Sequence, residues 1–403
     1  VLEAITLYEQ VLELDNRHEP ALEALVRISQ LEDYRAQAAE ILEPLLHLQE
    51  RWDLLADLKK LKADAALDPL DKKQELIALA EVRENGLQDA SGAFDALARA
   101  LGEDPSDEEI AENLERLAAA TDGYGKLADT LASRASSALD PVVARGLYVR
   151  LARIAEERLE DDARAVEAYQ RALEQVGDDV DLLAALDRLH VKTESWTPLS
   201  EVLERRISMA DDPTERAALL VRLGELREKQ FGDLRGAFAA YQEVVERDPG
   251  HDAALDGLQR LGENEELALD VVDTLETAFR ETGAMDRIAG LYDIRIHLAD
   301  TDGERVQMLQ EAAQLWENDL GQPDKALASM RKAFEIDPRD EMILEEVERL
   351  ATAWGAWESL RGMIEKIAEA GDLDRELGRE LNLRAARWYR DQLGDGEAAE
   401  GRL

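Results

Sequence analysis

The stretch LGELREKQFGDLRGAFAAYQEVVERDP, residues 223–249, decides the fold. Its second half carries Ala237, Tyr241 and Val244 at helical spacing, and Leu223 and Gly224 belong to a helix that ends before it. Between the two, Phe231-Gly232 supplies a glycine that closes a helix in the left-handed conformation. Asp248-Pro249 then stops the second helix, because proline cannot continue it. The stretch is a helical hairpin.

It is not alone. Ala237 is one rung of a ladder, Ala4, Ala93, Ala165, Ala237, Ala326 and Ala398, whose numbers step by 89, 72, 72, 89 and 72. Arg27, Arg116, Arg188, Arg260 and Arg349 keep the same ruler. The turns recur as Leu320-Gly321 and, one residue later than the ruler predicts, as Leu393-Gly394, and the stops as Asp104-Pro105 and Asp337-Pro338. A self-similar period of this length argues for stacked supersecondary units and against a globular enzyme core.

Each unit of the shorter step reads as four helices, most clearly from Pro141 to Ala210. Leu147, Leu151, Ile154 and Leu159 mark the first helix, and Ala165, Tyr169, Ala172 and Leu173 the second. Leu182, Leu183, Leu186 and Leu189 mark the third, and a fourth follows Trp196. The longer step has room for one more helix and a turn, which predicts an extra helix near 32–49 and near 265–281. Those inserts belong to a higher-order repeat: His18 with His251, and Trp52 with Met285, share one offset, the sum of two short steps and a long one. Unit boundaries fall at about 1–66, 67–138, 139–210, 211–299, 300–371 and 372–403, in one continuous array spanning 1–403. The chain starts at Val1 inside a helical pattern and ends inside another, which points to a fragment of a longer protein.

Composition narrows the function classes. The net charge of −42 opposes direct nucleic-acid binding, since phosphates are repelled, and favours basic partners. No cysteine means no disulfide framework, no thiolate nucleophile and no Cys-ligated zinc. No stretch approaches the roughly 18 consecutive apolar residues of a membrane span, so no insertion is expected in this segment. The arginine-rich, acidic composition also fits a GC-rich genome or a salty habitat. The compartment stays open, leaning cytoplasmic.

The hairpin from Leu223-Gly224 through Ala237, Tyr241, Val244 and Pro249 resembles the tetratricopeptide repeat, and Ala326, Met330, Ala333 and Pro338 match its second helix again. The spacing from Gly224 to Ala237 is one residue longer than that family's, and Arg227 stands where it has an aromatic. The resemblance implies an all-α, right-handed α-solenoid superhelix of tetratricopeptide-like hairpins, about 22 helices in all. It implies the class of scaffolds and adaptors that bind peptides or domains. That family's clamp for acidic tails uses Lys, Arg and Asn on the first helices. Here that face is Glu-rich, so a bound segment should be basic or apolar.

Two polar ladders remain. Glu84, Glu156, Glu228 and Glu317 recur near the end of the first helix, where the helix dipole disfavours a negative charge. Either the arginine ladder compensates them, or they form with Glu81 and Glu225 an acidic partner-binding stripe. The aromatic ladders read as packing: Tyr8, Leu97, Tyr169, Tyr241 and Met330 one turn after the alanines, Trp316 with Trp388, and Trp52, Trp196 and Trp357 with Tyr124.

No catalytic, cofactor or metal residue is expected. The histidines His18, His47, His190, His251 and His297 form no i, i+4 pair. Asp300-Thr301-Asp302-Gly303 lacks the remaining ligand spacing of a calcium loop, and Gly123-Tyr124-Gly125-Lys126 lacks the rest of a phosphate loop. The leading expectation is a non-enzymatic interaction scaffold or adaptor in a larger bacterial-type assembly. The alternatives are a regulatory or targeting module of a longer protein and a holdase-like chaperone for basic clients. The inserts should leave matching ledges, with self-association as a further use of an open edge.

Overall fold

The computed structural model describes residues 1–360, 363–369 and 375–401, and among them the regular elements are all helical. The helices gather into two compact units, Val1–Arg206 and Ile207–Leu403. The first holds α1 (Leu2–Leu14), α2 (Glu19–Ser29), α3 (Arg35–Leu48), α4 (Trp52–Ala65), α5 (Pro69–Glu81), α6 (Ala90–Glu103), α7 (Glu108–Thr121), α8 (Tyr124–Ser137), α9 (Pro141–Glu157), α10 (Asp162–Val176) and α11 (Val180–Lys192), and most of α12 (Trp196–Met209). The second continues with α13 (Pro213–Leu226), α14 (Leu234–Arg247), α15 (Asp252–Leu261), α16 (Ala268–Thr282), α17 (Met285–Leu298), α18 (Asp302–Gln314), α19 (Pro323–Ile336), α20 (Glu341–Trp354), α21 (Met363–Glu369), α22 (Arg375–Arg387) and α23 (Gly396–Glu400). The expected boundary between 371 and 372 lies outside the described residues.

Within each unit successive helices pack on one another, and the insert helices are α3 and α16. The alanine rungs sit at these crossings: Ala93, Ala165, Ala237 and Ala326 are fully buried. A methyl group lets two backbones approach, and the large residue one turn later fills the groove that results. Helix starts repeat as strictly as the core. Asp68, Asp140 and Asp212 each cap a helix whose first residue is proline. That proline lacks only an N–H that would have had no partner.

The ends of the first helices explain the extra residue in the repeat. α5, α13, α18 and α22 each run into a π turn, at Val82–Gly86, Arg227–Phe231, Leu315–Asp319 and Trp388–Gln392. Gly232 N–H, for example, donates to the Arg227 carbonyl across five residues. A π turn absorbs one residue more than an α turn, so the one-residue excess between Gly224 and Ala237 is taken up there. The chain then reverses through a left-handed residue, Gln88, Glu160, Gly232, Gly321 or Gly394. The residue after it begins the second helix, and Asp89, Asp161, Asp233 and Asp395 cap it with their side chains.

This capping frame corrects the last rung. Ala93, Ala165, Ala237 and Ala326 each lie four residues after the helix-start position, and four after Asp395 is Ala399, not Ala398. Ala399 is buried. The last interval therefore carries one residue more than the other short steps, which is why Gly394 stood one place late. Trp388 consequently opens its π turn as Leu315 does, one place before the counterpart of Trp316. It still packs as an aromatic, with its ring 5.9 Å from that of Trp357.

Candidate functional site

The glutamate and arginine ladders meet. Arg116 on α7 grips Glu84 in the π turn after α5, with Nη2 donating to Oε2 at 2.8 Å. Arg188 on α11 pairs with Glu156 at the end of α9. In the second unit Arg260 on α15 donates through Nε and Nη2 to the two oxygens of Glu228, at 3.2 and 3.1 Å. Arg349 on α20 reaches Glu317 at 2.5 Å and also holds Glu346. Each pair ties the first helix of one hairpin to the first helix of the next, 32 residues on.

The electrostatics follow. Hydrogen bonding to Arg116 holds the Glu84 carboxyl below the ordinary glutamate range, and Arg260 does the same for Glu228 against the opposing effect of burial. Arg116, Arg188 and Arg260 are raised by their glutamates. The glutamate side chains are 14 to 29% exposed and their arginines 46 to 59%, which keeps each pair in the range of about 0 to 1 kcal/mol expected of exposed ion pairs. A negative charge at a helix C-terminus is thus offset by a cation from the neighbouring hairpin.

The other two acidic candidates are placed differently. Glu225 pairs one turn along with Lys229, and Glu81 is exposed without an ion pair among the described residues. Tyr241, read as core, is fully buried and also joins the ladder by donating its hydroxyl to Glu228 at 3.0 Å.

Several residues have roles that composition and spacing did not reveal. His18 and His251 are helix caps whose Nδ1 accepts from Ala21 and Ala254 N–H. Asp300 to Gly303 is a helix start, closed by a capping box between Thr301 and Glu304. Two acids on the insert helices face inward: Glu43 meets Lys59 and Lys62 of α4, and Glu276 meets Arg295 of α17. Glu43 with Lys62, and Glu276 with Arg295, are the same pair in the two higher-order repeats. The signal was present in the sequence at that spacing. Among the described residues no group of His, Cys, Asp and Glu is arranged to hold a metal ion, and no helix is long and apolar enough to cross a membrane.

Two family models match, each described as tetratricopeptide repeat, over residues 218–251 and 318–340. They fall on the α13–α14 hairpin and on α19. With its hairpins, alanine rungs and turn chemistry, the chain is a tetratricopeptide-like helical repeat protein. No curated protein matches it. Among solved structures it is similar to Naa15/Naa10 bound to HypK-THB, at 15% identity and a TM-score of 0.29 over 99% of this chain and 64% of that one. The C-terminal part of a TPR repeat-containing protein from Cytophaga hutchinsonii is 14% identical, with a TM-score of 0.28, over 62% of this chain and 98% of that one. The TPR2AB domain of yeast Sti1 in its pHSP90 complex is 15% identical, with a TM-score of 0.22, over 73% and 96%. None of the three superposes closely enough to transfer a residue role.

Proposed function

We propose that this chain is a non-enzymatic protein–protein interaction scaffold or adaptor whose partner presents a basic or apolar segment. The observation that carries the reading is the pairing of tetratricopeptide repeats with a net charge of −42. The arginine ladder engages Glu84, Glu156, Glu228 and Glu317 internally, so the repeat's own polar positions are largely occupied by its architecture. The rest of the acidic surplus meets solvent or a partner, and a field of that sign attracts cationic surfaces. The acidic stripe is a second reading, favoured by the exposure of Glu81. In it, a basic partner competes with Arg116 or Arg260 for the glutamates.

Affinity capture with the chain as bait, followed by reconstitution of the captured protein with purified chain, tests the scaffold reading. The expected result is a stoichiometric complex that weakens as salt rises. Recovery of unfolded clients in no fixed ratio, with suppression of their aggregation, would replace the scaffold with a holdase. A substrate turned over by the purified chain would overturn both.

A further inference from the structure

The two insert helices each leave a groove on their outer side. The first, of about 450 Å³, runs between α1 and α3 and is lined by those two helices alone. The second, of about 330 Å³, runs between α14 and α16, with Pro249 at its end. They are the same feature twice. Leu12 and Val245, Glu13 and Glu246, Glu40 and Asp273, and Leu45 and Ala278 line the two grooves in register, every pair at the offset that separates the higher-order repeats. The helix preceding α14, which is α13, contributes no residue to the second groove, so a complete hairpin leaves it open.

Comparable crossings elsewhere are spanned by ion pairs. Arg99 of α6 reaches Asp64 of α4 at 2.5 Å, Lys126 of α8 reaches Asp95 of α6 at 2.6 Å, and Arg164 of α10 reaches Asp129 of α8 at 2.8 Å. In the second unit Lys366 of α21 reaches Glu335 of α19 at 2.5 Å. Among the described residues no ion pair spans α1 to α3 or α14 to α16. Acid instead faces acid: Glu9 and Glu13 oppose Glu40 across the first groove, and Glu246 opposes Asp273 and Glu281 across the second. Asp273 shares Arg295 with Glu276, while Glu9, Glu13, Glu40, Glu246 and Glu281 have no cationic partner among the described residues. Of the cations near the inserts, Lys59, Lys62 and Arg295 lie on the helices that follow them and hold Glu43 and Glu276, and Arg280 of α16 pairs with Glu276 of its own helix.

Like charges across an apolar-floored cleft are unfavourable until a cation lies between them. We propose that both grooves are docking sites for a basic amphipathic segment of a partner protein, one segment in each, its apolar side on Leu12 or Val245 and its cations between the acidic walls. This rests on the scaffold reading and assigns its contact surface. A second copy of this chain is a poor occupant, because two bodies of charge −42 repel. Two equivalent sites in one chain raise avidity for a partner carrying two such segments.

The test is a titration of the full chain with a fluorescein-labelled Lys/Leu amphipathic helix, matched in length to α3 and read by anisotropy. Two peptides should bind per chain, with affinity falling as salt is raised from about 50 to about 500 mM. Glu13→Lys with Glu40→Lys should remove one site and Glu246→Lys with Glu281→Lys the other, each weakening its site roughly tenfold or more. Circular dichroism confirms that the variants are folded. Glu109→Lys with Glu112→Lys, an equal charge change on exposed positions of α7, should keep both sites. Peptide binding that survives all four groove reversals overturns the grooves and leaves the scaffold standing. Absence of binding at low salt also overturns them, as does a salt-sensitive dimer of the chain that the reversals abolish.

Discussion

The hairpins α9–α10 and α13–α14 lie one short step apart and place a tyrosine on the same rung, yet the two rings are held differently. Around Tyr241 stand Gly224 and Gly257, where Tyr169 has Ala152 and Ala185. A methyl group at Gly224 would lie 2.6 Å from Tyr241 Cε1, and one at Gly257 would lie 2.7 Å from Cε2. Without those methyls the ring slides fully between the helices and its hydroxyl reaches Glu228. Tyr169 remains 8% exposed and makes no hydrogen bond to Glu156. A repeated identity on the ruler therefore does not mean repeated packing, because the residues around the rung decide how deep it sits.

The largest effect expected from this comparison is at the ring itself. Tyr241→Ala should destabilise the α13–α15 region by about 3–5 kcal/mol through the cavity it leaves. Denaturant unfolding with hydrogen exchange should show the loss concentrated there, since coupling in such arrays is to neighbours. Restoring the missing methyls is the next test: Gly224→Ala or Gly257→Ala should cost about 1–3 kcal/mol by overpacking against the ring, despite the better helix propensity of alanine. Tyr241→Phe should cost about 1–2 kcal/mol because Glu228 loses a donor, while Tyr169→Phe should be near neutral.

A pH dependence sharpens the contrast between rungs. His190 on α11 is buried with neither ring nitrogen hydrogen-bonded, and burial pushes its pKa down. The equivalent positions hold Ser29, Ala118, Gly262 and Ala351. A histidine depressed in the folded state contributes its full stability above its unfolded pKa of about 6.5, and that stability is lost as pH falls below it. Melting temperature should therefore drop between pH 7 and pH 5, and His190→Ala should flatten the drop. Glu84 and Glu228 act lower down. Their depressed values stabilise the fold above the ordinary glutamate range, and that contribution disappears as pH falls through them.

A smaller effect is expected at the turns. Glu160 holds a left-handed conformation where Gly232, Gly321 and Gly394 stand in other repeats. Glu160→Gly should stabilise by up to about 1 kcal/mol, since a side chain in that region costs roughly 1–2 kcal/mol and the added chain entropy of glycine offsets part of the gain.

Much of this architecture was legible before any coordinates. The hairpin at 223–249 showed its two helices because alanine rungs, glycine turn and proline stop coincide, and the inserts showed in interval lengths. The π turns were visible only as an extra residue, since nothing in Arg227 to Phe231 marks an i+5 hydrogen bond. The last rung was misplaced because Ala398 and Ala399 are adjacent, and the late Gly394 and the Asp395 cap together pick out Ala399. The glutamate and arginine ladders suggested each other from spacing alone. The inserts were expected to leave matching ledges, but their pairing with α1 and α14 into grooves did not emerge, because it depends on which faces of two non-adjacent helices remain uncovered.

The central claim is that the recurring glutamates are held by the recurring arginines, leaving partner contact to other acids. A double-mutant cycle at Glu228 and Arg260 tests it most directly, with thermal stability and binding of the basic amphipathic peptide read on the same samples. Glu228→Arg and Arg260→Glu should each lower stability, and the swapped double variant should recover by a coupling of up to about 1 kcal/mol, with peptide binding unchanged throughout. Additive stabilities together with loss of peptide binding in Glu228→Arg would contradict the account and return the ladder to the partner.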